Sequence, residues 1–271
     1  MILTPVNELP QTTDVLVIGS GAAGLTAATR AAETSTVVVL EKAQQLGGTT
    51  AVGGGVLWAP ATDLGAAAGY EDSRQQGIDY LLAATGSKMT EEAAAWYVDR
   101  IGDAVTWLTE HSRVNLVPLA RPDYRLTHSG STQGGRSLDN AAVDVGAVPG
   151  LREALRPSSY FPLLTMEERD NLNGAAPDPD LLASRAADGV RTMGGALAAS
   201  LLLSALDRGV EVAAGARVTG LERTETGWAI TVNDGEAVIG AKNVVVASGG
   251  FEWNQELQSA FLPHPITPIS A

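Results

Sequence analysis

The chain has 271 residues, is 45% hydrophobic and carries a formal net charge of −13, enough for one large or two ordinary cores and without the basic surface that a nucleic acid partner requires. It contains no cysteine, which excludes disulfides, thiolate redox chemistry, iron–sulfur clusters and the usual structural zinc sites, and leaves any redox chemistry to an organic cofactor. His111, His128 and His264 stand far apart without ligand spacing, so no metal site is expected.

Residues 1–13 have neither a basic region nor an apolar stretch of signal-peptide length, so a cytoplasmic location is expected. The apolar run over 15–32 is broken by three glycines and Arg30 and cannot serve as a membrane span. It reads instead as a βαβ opening: a buried strand over Val15–Ile18, a turn Gly19-Ser20-Gly21-Ala22-Ala23-Gly24, and an alanine-rich helix to Ala32. Gly19 permits the tight turn, Gly21 lets backbone amides approach a pyrophosphate, and Gly24 lets the helix pack on the strand. The next strand, Thr36–Leu40, ends at Glu41, 22 residues beyond Gly19, where an acid can accept the hydroxyls of an adenosine ribose.

After Lys42 comes Gly47-Gly48-Thr49-Thr50-Ala51-Val52-Gly53-Gly54-Gly55, with five glycines in nine residues. So little side-chain volume lets backbone lie against a flat ligand. A mobile surface loop is the alternative, and the apolar Val56-Leu57-Trp58 that follows favours the buried one. Helices are expected over 71–85 and 90–111, the second capped by Thr90 with Glu91 and Glu92 in its first turn. Residues 112–180, rich in Pro and Gly, read as extended connections with a linker at 174–180. A helix over 194–207 then precedes short strands at 210–213, 217–224, 228–232 and 237–239, with a hairpin turn at Asn233-Asp234-Gly235. Asn243–Ala247 reads as one more strand of the opening parallel sheet, ending at Ser248-Gly249-Gly250.

Taken together, V-I-G-S-G-A-A-G, L-E-K, G-G-T-T-A-V-G-G-G-V-L-W-A-P, G-A-R-V and V-V-V-A-S-G-G-F-E-W-N resemble the FAD-binding half of the fumarate reductase and succinate dehydrogenase flavoprotein superfamily. The W-A-P and G-G-F-E-W-N segments are most similar to its 3-ketosteroid Δ1-dehydrogenase branch. The resemblance implies an α/β, Rossmann-like FAD-binding domain with a parallel sheet and a small β-meander. Nucleotide-binding segments at 12–60 and 190–271 would flank a helical and loop-rich stretch at 61–189, with the substrate domain outside this chain.

By position, it implies that Gly19, Ser20, Gly21, Ala22, Ala23 and Gly24 surround the pyrophosphate and that Glu41 and Lys42 lie at the ribose. Gly48, Thr49, Thr50, Ala51, Gly54 and Gly55 would follow the ribityl chain and flavin, Val218 would meet adenine through its backbone, and Ala247, Ser248, Gly249 and Gly250 would wall the adenosine. No histidine follows the Gly-Gly-Thr-Thr run, so noncovalent FAD is expected. Gly53 replaces a serine frequent in the family. Tyr124 resembles the catalytic-site tyrosine that lines the family's steroid pocket, with plain packing as the alternative.

The family's proton-accepting and keto-polarising tyrosines have no counterpart here. The expectation is therefore a split dehydrogenase whose second polypeptide carries the substrate domain and last FAD segment and acts on a steroid or other bulky cyclic ketone. A fumarate-like enoyl reductase subunit, a noncatalytic flavin carrier and a degenerate fragment are the alternatives.

Overall fold

A computed structural model of the protein describes residues 2–86, 88–158, 163–252, 254–263 and 266–267. Trp253 and His264, both named above, lie outside the described residues. In chain order the first elements are β1 (Thr12–Ile18), α1 (Ala22–Ala31), β2 (Val37–Leu40), β3 (Leu57–Trp58), α2 (Asp63–Ala67), α3 (Arg74–Thr85) and α4 (Glu91–His111). They are followed by β4 (Leu116–Pro118), β5 (Ser137–Asn140), β6 (Val143–Asp144), α5 (Leu151–Ala154), α6 (Met166–Asn171), α7 (Pro179–Asp188) and β7 (Val190–Arg191). The chain closes with α8 (Met193–Asp207), β8 (Glu211–Ala213), β9 (Val218–Arg223), β10 (Trp228–Val232), β11 (Ala237–Val246) and α9 (Gln255–Phe261).

The chain divides into two compact units. The first comprises Met1–Gly53, Val145–Tyr160 and Leu201–Ala271. Its six-stranded sheet has the order β8-β2-β1-β11-β10-β9. The four strands β8, β2, β1 and β11 run parallel, and β10 and β9 add to the β11 side antiparallel. The expected strands at 237–239 and 243–247 are one ten-residue strand ending at Val246. Its early residues pair with β10 and its later ones with β1, so the small meander is the antiparallel end of the main sheet. Leu16, Val38, Leu40, Ile230, Val232 and Ile239 form the buried core of this unit. β2 is buried throughout, as expected of a parallel strand covered on both faces.

The second unit comprises Gly54–Asp144 and Phe161–Ser200. Helix α4 begins with the Thr90 hydroxyl accepting from Ala93 N (3.2 Å), and α3 begins in the same way at Ser73. The two helices pack through Ile78, Ala94 and Val98. β3, β5 and β4 form a small antiparallel sheet, and a second apolar cluster joins Leu119, Met166 and Met193. The stretch expected to be mere connections holds short elements fixed by tertiary bonds. Asp139 Oδ2 accepts from Met166 N at the start of α6 (2.5 Å), and Arg185 of α7 pairs with Glu168 of α6. The sequence of α8 places Leu197, Leu201, Leu202 and Leu206 on one face, yet Ala196, Ala198, Ala199 and Leu203 are buried as well. A helix apolar around its whole circumference is an interior helix. Among the described residues, no helix is long and apolar enough to cross a membrane.

The position of α1 on β1 depends on Gly24, where an added Cβ would stand 1.9 Å from the Gly19 carbonyl oxygen. Gly24→Ala is expected to force the helix off the strand and to cost about 1–3 kcal/mol, as overpacking of a tight interior does. Urea unfolding of the variant and parent proteins measures this directly.

Candidate functional site

In the first unit the residues of the glycine turn converge at the carboxyl ends of β1, β2 and β11. Gly19 has φ +107°, and a Cβ there would lie 2.3 Å from Ala247 O, so the turn and the end of β11 are held backbone to backbone. Glu41, 7% exposed, accepts from Ser20 N (3.0 Å) and Ser20 Oγ (2.7 Å) on Oε2 and from Ala43 N (2.9 Å) on Oε1. Ser20 Oγ in turn accepts from Gly47 N (3.0 Å), and Thr50 Oγ1 accepts from Ala22 N (3.0 Å). The turn, the acid and the Gly-Gly-Thr-Thr run are thereby one hydrogen-bonded group.

Whether this group suits a dinucleotide can be tested at Gly21. Gly19 and Gly24 have steric reasons internal to the protein to lack a side chain, whereas Gly21 has no such steric reason. Its φ of −71° is ordinary, and its nearest obstacle to a Cβ is Thr50 Oγ1 at 3.7 Å. It is also the N-cap of α1 and makes no side-chain cap bond. Bare backbone at an uncapped helix N-terminus suits a pyrophosphate, which the helix dipole and first-turn amides attract. Glu41 keeps lone-pair capacity beyond its three protein bonds, as a ribose hydroxyl requires. The residues fit FAD.

The other expected cofactor residues divide between the two units. Gly48 stands against Gly21, with a Cβ at Gly48 3.6 Å from Gly21 Cα. Ala51 is buried, while Ala23, Lys42, Thr49, Ser248, Gly249 and Gly250 are exposed. Val218 opens β9 opposite Val232, two residues beyond Ala216, whose N donates to Glu41 O (2.8 Å). Gly54 and Gly55 belong to the second unit. There Gly55, with φ +66°, is packed so tightly that a Cβ would meet Gly194 Cα at 2.4 Å, and its carbonyl accepts from Asn140 Nδ2 (2.8 Å).

The second unit holds a cavity of about 620 Å³ whose walls include Gly54, Trp58, Tyr80, Arg121, Asp123, Tyr124, Arg125 and Met166. Tyr124 lies on this wall and is fully exposed. Beneath it lies a buried ionic group invisible to the sequence reading. Arg136, 1% exposed, donates from Nε and Nη2 to Asp72 (2.8 and 2.6 Å) and from Nη1 to Asp123 (2.9 Å). Asp123 also accepts from Trp58 Nε1 (2.8 Å) and Thr132 N (3.0 Å). The guanidinium lies 5.6 Å from the Trp58 and Tyr80 ring centroids, within cation–π range. Two residues on the cavity wall, Trp58 and Asp123, are thus fixed from behind by one arginine. Burial alone would raise the Asp72 carboxyl, but the Arg136 guanidinium and the Ala61 and Ser73 amides outweigh it and hold its pKa below the ordinary value.

Removing the arginine would strand two carboxylates. Arg136→Met is expected to lose about 3–5 kcal/mol, the usual effect of breaking a buried ion pair, as read from the urea midpoint at neutral pH. Because the folded pKa of Asp72 is depressed, its contribution is complete above the unfolded carboxylate pKa of about 3.9 and is lost as pH falls through the lower folded value. The stability gap between parent and Asp72→Asn should therefore narrow on acidification below about pH 4. A gap constant with pH would remove the assignment.

With this geometry in hand, likeness to known proteins can be assessed. The family model described as FAD binding domain matches residues 14–269. A 4-oxocyclohexanecarboxylate 2-dehydrogenase of Sinomonas cyclohexanicum is 36% identical over 263 residues, covering 93% of this chain and 46% of the relative. A 3-oxosteroid 1-dehydrogenase of Mycolicibacterium smegmatis is 30% identical over 283 residues, covering 94% and 49%. The crystal structure of 3-ketosteroid Δ1-dehydrogenase from Sterolibacterium denitrificans in complex with 1,4-androstadiene-3,17-dione matches with a TM-score of 0.84 at 27% identity, covering 95% of this chain and 51% of that one. The chain spans about half the length of the relatives it matches. It belongs to the FAD binding domain family, beside the 3-ketosteroid and oxocyclohexanecarboxylate dehydrogenases, and FAD is its cofactor.

Proposed function

We propose that the protein is the flavin-binding part of a dehydrogenase that introduces a double bond beside the carbonyl of a cyclic ketone, 3-ketosteroid Δ1-dehydrogenation being the form first expected. The observation that carries this reading is Tyr124, fully exposed on the wall of a cavity of about 620 Å³, in a chain whose relatives include dehydrogenases of ketosteroids and of oxocyclohexanecarboxylates. The reaction removes two hydrogens from adjacent ring carbons, one as hydride and one as a proton. FAD, held without a covalent bond, supplies the hydride acceptor.

In this reading Gly21 and the start of α1 carry the pyrophosphate, and Glu41 orients the ribose. Trp58 and Tyr80 give the substrate ring apolar surface, and the Tyr124 hydroxyl meets it as a hydrogen-bonding group. The base that takes the proton and the acid that polarises the ketone are assigned to a second polypeptide. Exposed apolar surface supports this assignment. Phe251 and Phe261 are 40% and 72% exposed, and their rings stand 6.2 Å apart, an apolar pair open to a partner.

The decisive experiment is anaerobic. The FAD-loaded protein, purified with any polypeptide that accompanies it, is mixed with a 3-ketosteroid or a 4-oxocyclohexanecarboxylate. The flavin absorbance should bleach and an equivalent of the ring-unsaturated ketone should form. Flavin that stays oxidised with both ketones, in protein that binds FAD fully, would defeat the proposal.

The nucleotide assignments have separate tests. Gly21→Ala is expected to lose at most about 1 kcal/mol of stability, the effect of a poorer N-cap residue, yet to lose FAD affinity by tenfold or more, roughly the effect of one lost contact to a charged group. In Glu41→Gln one side-chain oxygen becomes an amide NH2, which cannot accept, and FAD binding should weaken by about tenfold. Equilibrium dialysis against FAD measures both, and parent-like retention in either variant would count against that residue's role.

A further inference from the structure

We propose that Arg125 is a specificity-determining residue, an anchor for a carboxylate carried on the cyclic ketone. This rests on the cyclic-ketone reading above and narrows it to keto acids. Five other arginines of the second unit each hold an acid of that unit. Arg74 holds Asp99, Arg100 holds Asp103, Arg121 holds Asp170, Arg136 holds Asp72 and Asp123, and Arg185 holds Glu168. Arg125 lies on the cavity wall and, among the described residues, makes no ion pair.

That is not for want of a place in the structure. Its backbone is fixed on both sides, its N donating to the Tyr80 hydroxyl (3.4 Å) and its carbonyl accepting from His128 N (3.0 Å). The nearest acid in sequence, Asp123, is already committed to Trp58, Thr132 and Arg136. A chain of net charge −13 thus presents a guanidinium without a carboxylate on the wall of its cavity, next to Tyr124. A guanidinium takes a carboxylate through two parallel hydrogen bonds, a geometry an ammonium group cannot reproduce. A neutral steroid can offer it a carbonyl oxygen but no carboxylate. A ring with a ketone at one end and a carboxylate at the other, as in the substrate named for the Sinomonas relative, has both required groups.

The experiment is equilibrium binding to the FAD-loaded protein, purified with any polypeptide that accompanies it, at neutral pH, by titration calorimetry, with 4-oxocyclohexanecarboxylate, its methyl ester and a neutral 3-ketosteroid. The acid should bind at least about tenfold more tightly than the ester, the scale of one charge-assisted contact. Arg125→Met should abolish that advantage, and Arg125→Lys should retain only part of it. The thermal unfolding and flavin content of both variants should match the parent, since the side chain is exposed. Equal binding of acid and ester, or an advantage that survives Arg125→Met, overturns the anchor and leaves the cyclic-ketone reading standing. Binding of none of the three, by protein that retains its flavin, removes the cyclic-ketone reading and the anchor with it.

Discussion

The close approach of backbone to backbone at the end of β1 constrains the first unit more than any side chain does. A Cβ at Gly19 would reach Ala247 O at 2.3 Å, and one at Gly24 would reach Gly19 O at 1.9 Å. Strand β11, the turn and α1 therefore lock at one point, and the amide end of α1 is aimed at whatever lies beyond the sheet edge. Glu41 completes the arrangement from β2 by taking both donors of Ser20. A buried carboxylate is tolerated here because three donors satisfy it, and those same bonds fix its position at the carboxyl end of the sheet. The architecture follows the general rule for open α/β sheets, whose ligands sit outside the carboxyl ends of the strands.

The second unit reaches the same end by a different route. Its cavity wall lacks a long parallel sheet behind it, and β3 is two residues long. Rigidity comes instead from Arg136, whose fork joins Asp72, just before α3, to Asp123, in the loop that carries Tyr124. Aromatic packing supports it from the side, with Trp58 stacked on Tyr97 at 6.2 Å and the Tyr97 hydroxyl donating to Trp58 O (2.8 Å). A loop placed by a buried guanidinium has the order of a secondary-structure element without its periodicity. It can thus present an exposed tyrosine beside an apolar wall.

That difference explains what the sequence disclosed. β1, α1, β2 and Glu41 were legible because their determinants are local: a strand, a glycine spacing and an acid at a fixed distance. Helices α3 and α4 were legible through apolar periodicity, and the Thr90 cap was visible from its neighbours. The stretch over 112–190 was not, because its elements are short and set by partners distant in the chain, such as Val143 opposite Arg191 and Asp139 beneath Met166 N. The grouping of Asp72, Asp123 and Arg136 was not legible, since nothing in their spacing shows that they meet. The merger of β11 was missed for a related reason. Lys242 and Asn243 look like an interruption, but both are exposed while the backbone continues straight through them.

The glycines of this chain differ in whether the fold itself requires them. Where φ is positive or a Cβ would strike backbone, as at Gly19, Gly24 and Gly55, the fold itself requires glycine. Gly21, Gly53 and Gly54 are otherwise. They have no positive φ, and a Cβ would meet only the Thr50 hydroxyl at 3.7 Å, Thr49 O at 3.5 Å and the end of the Met166 side chain at 3.4 Å. At these positions no contact inside the protein forbids a side chain, so the glycine there answers to something other than the close packing that holds β1, α1 and β11 together.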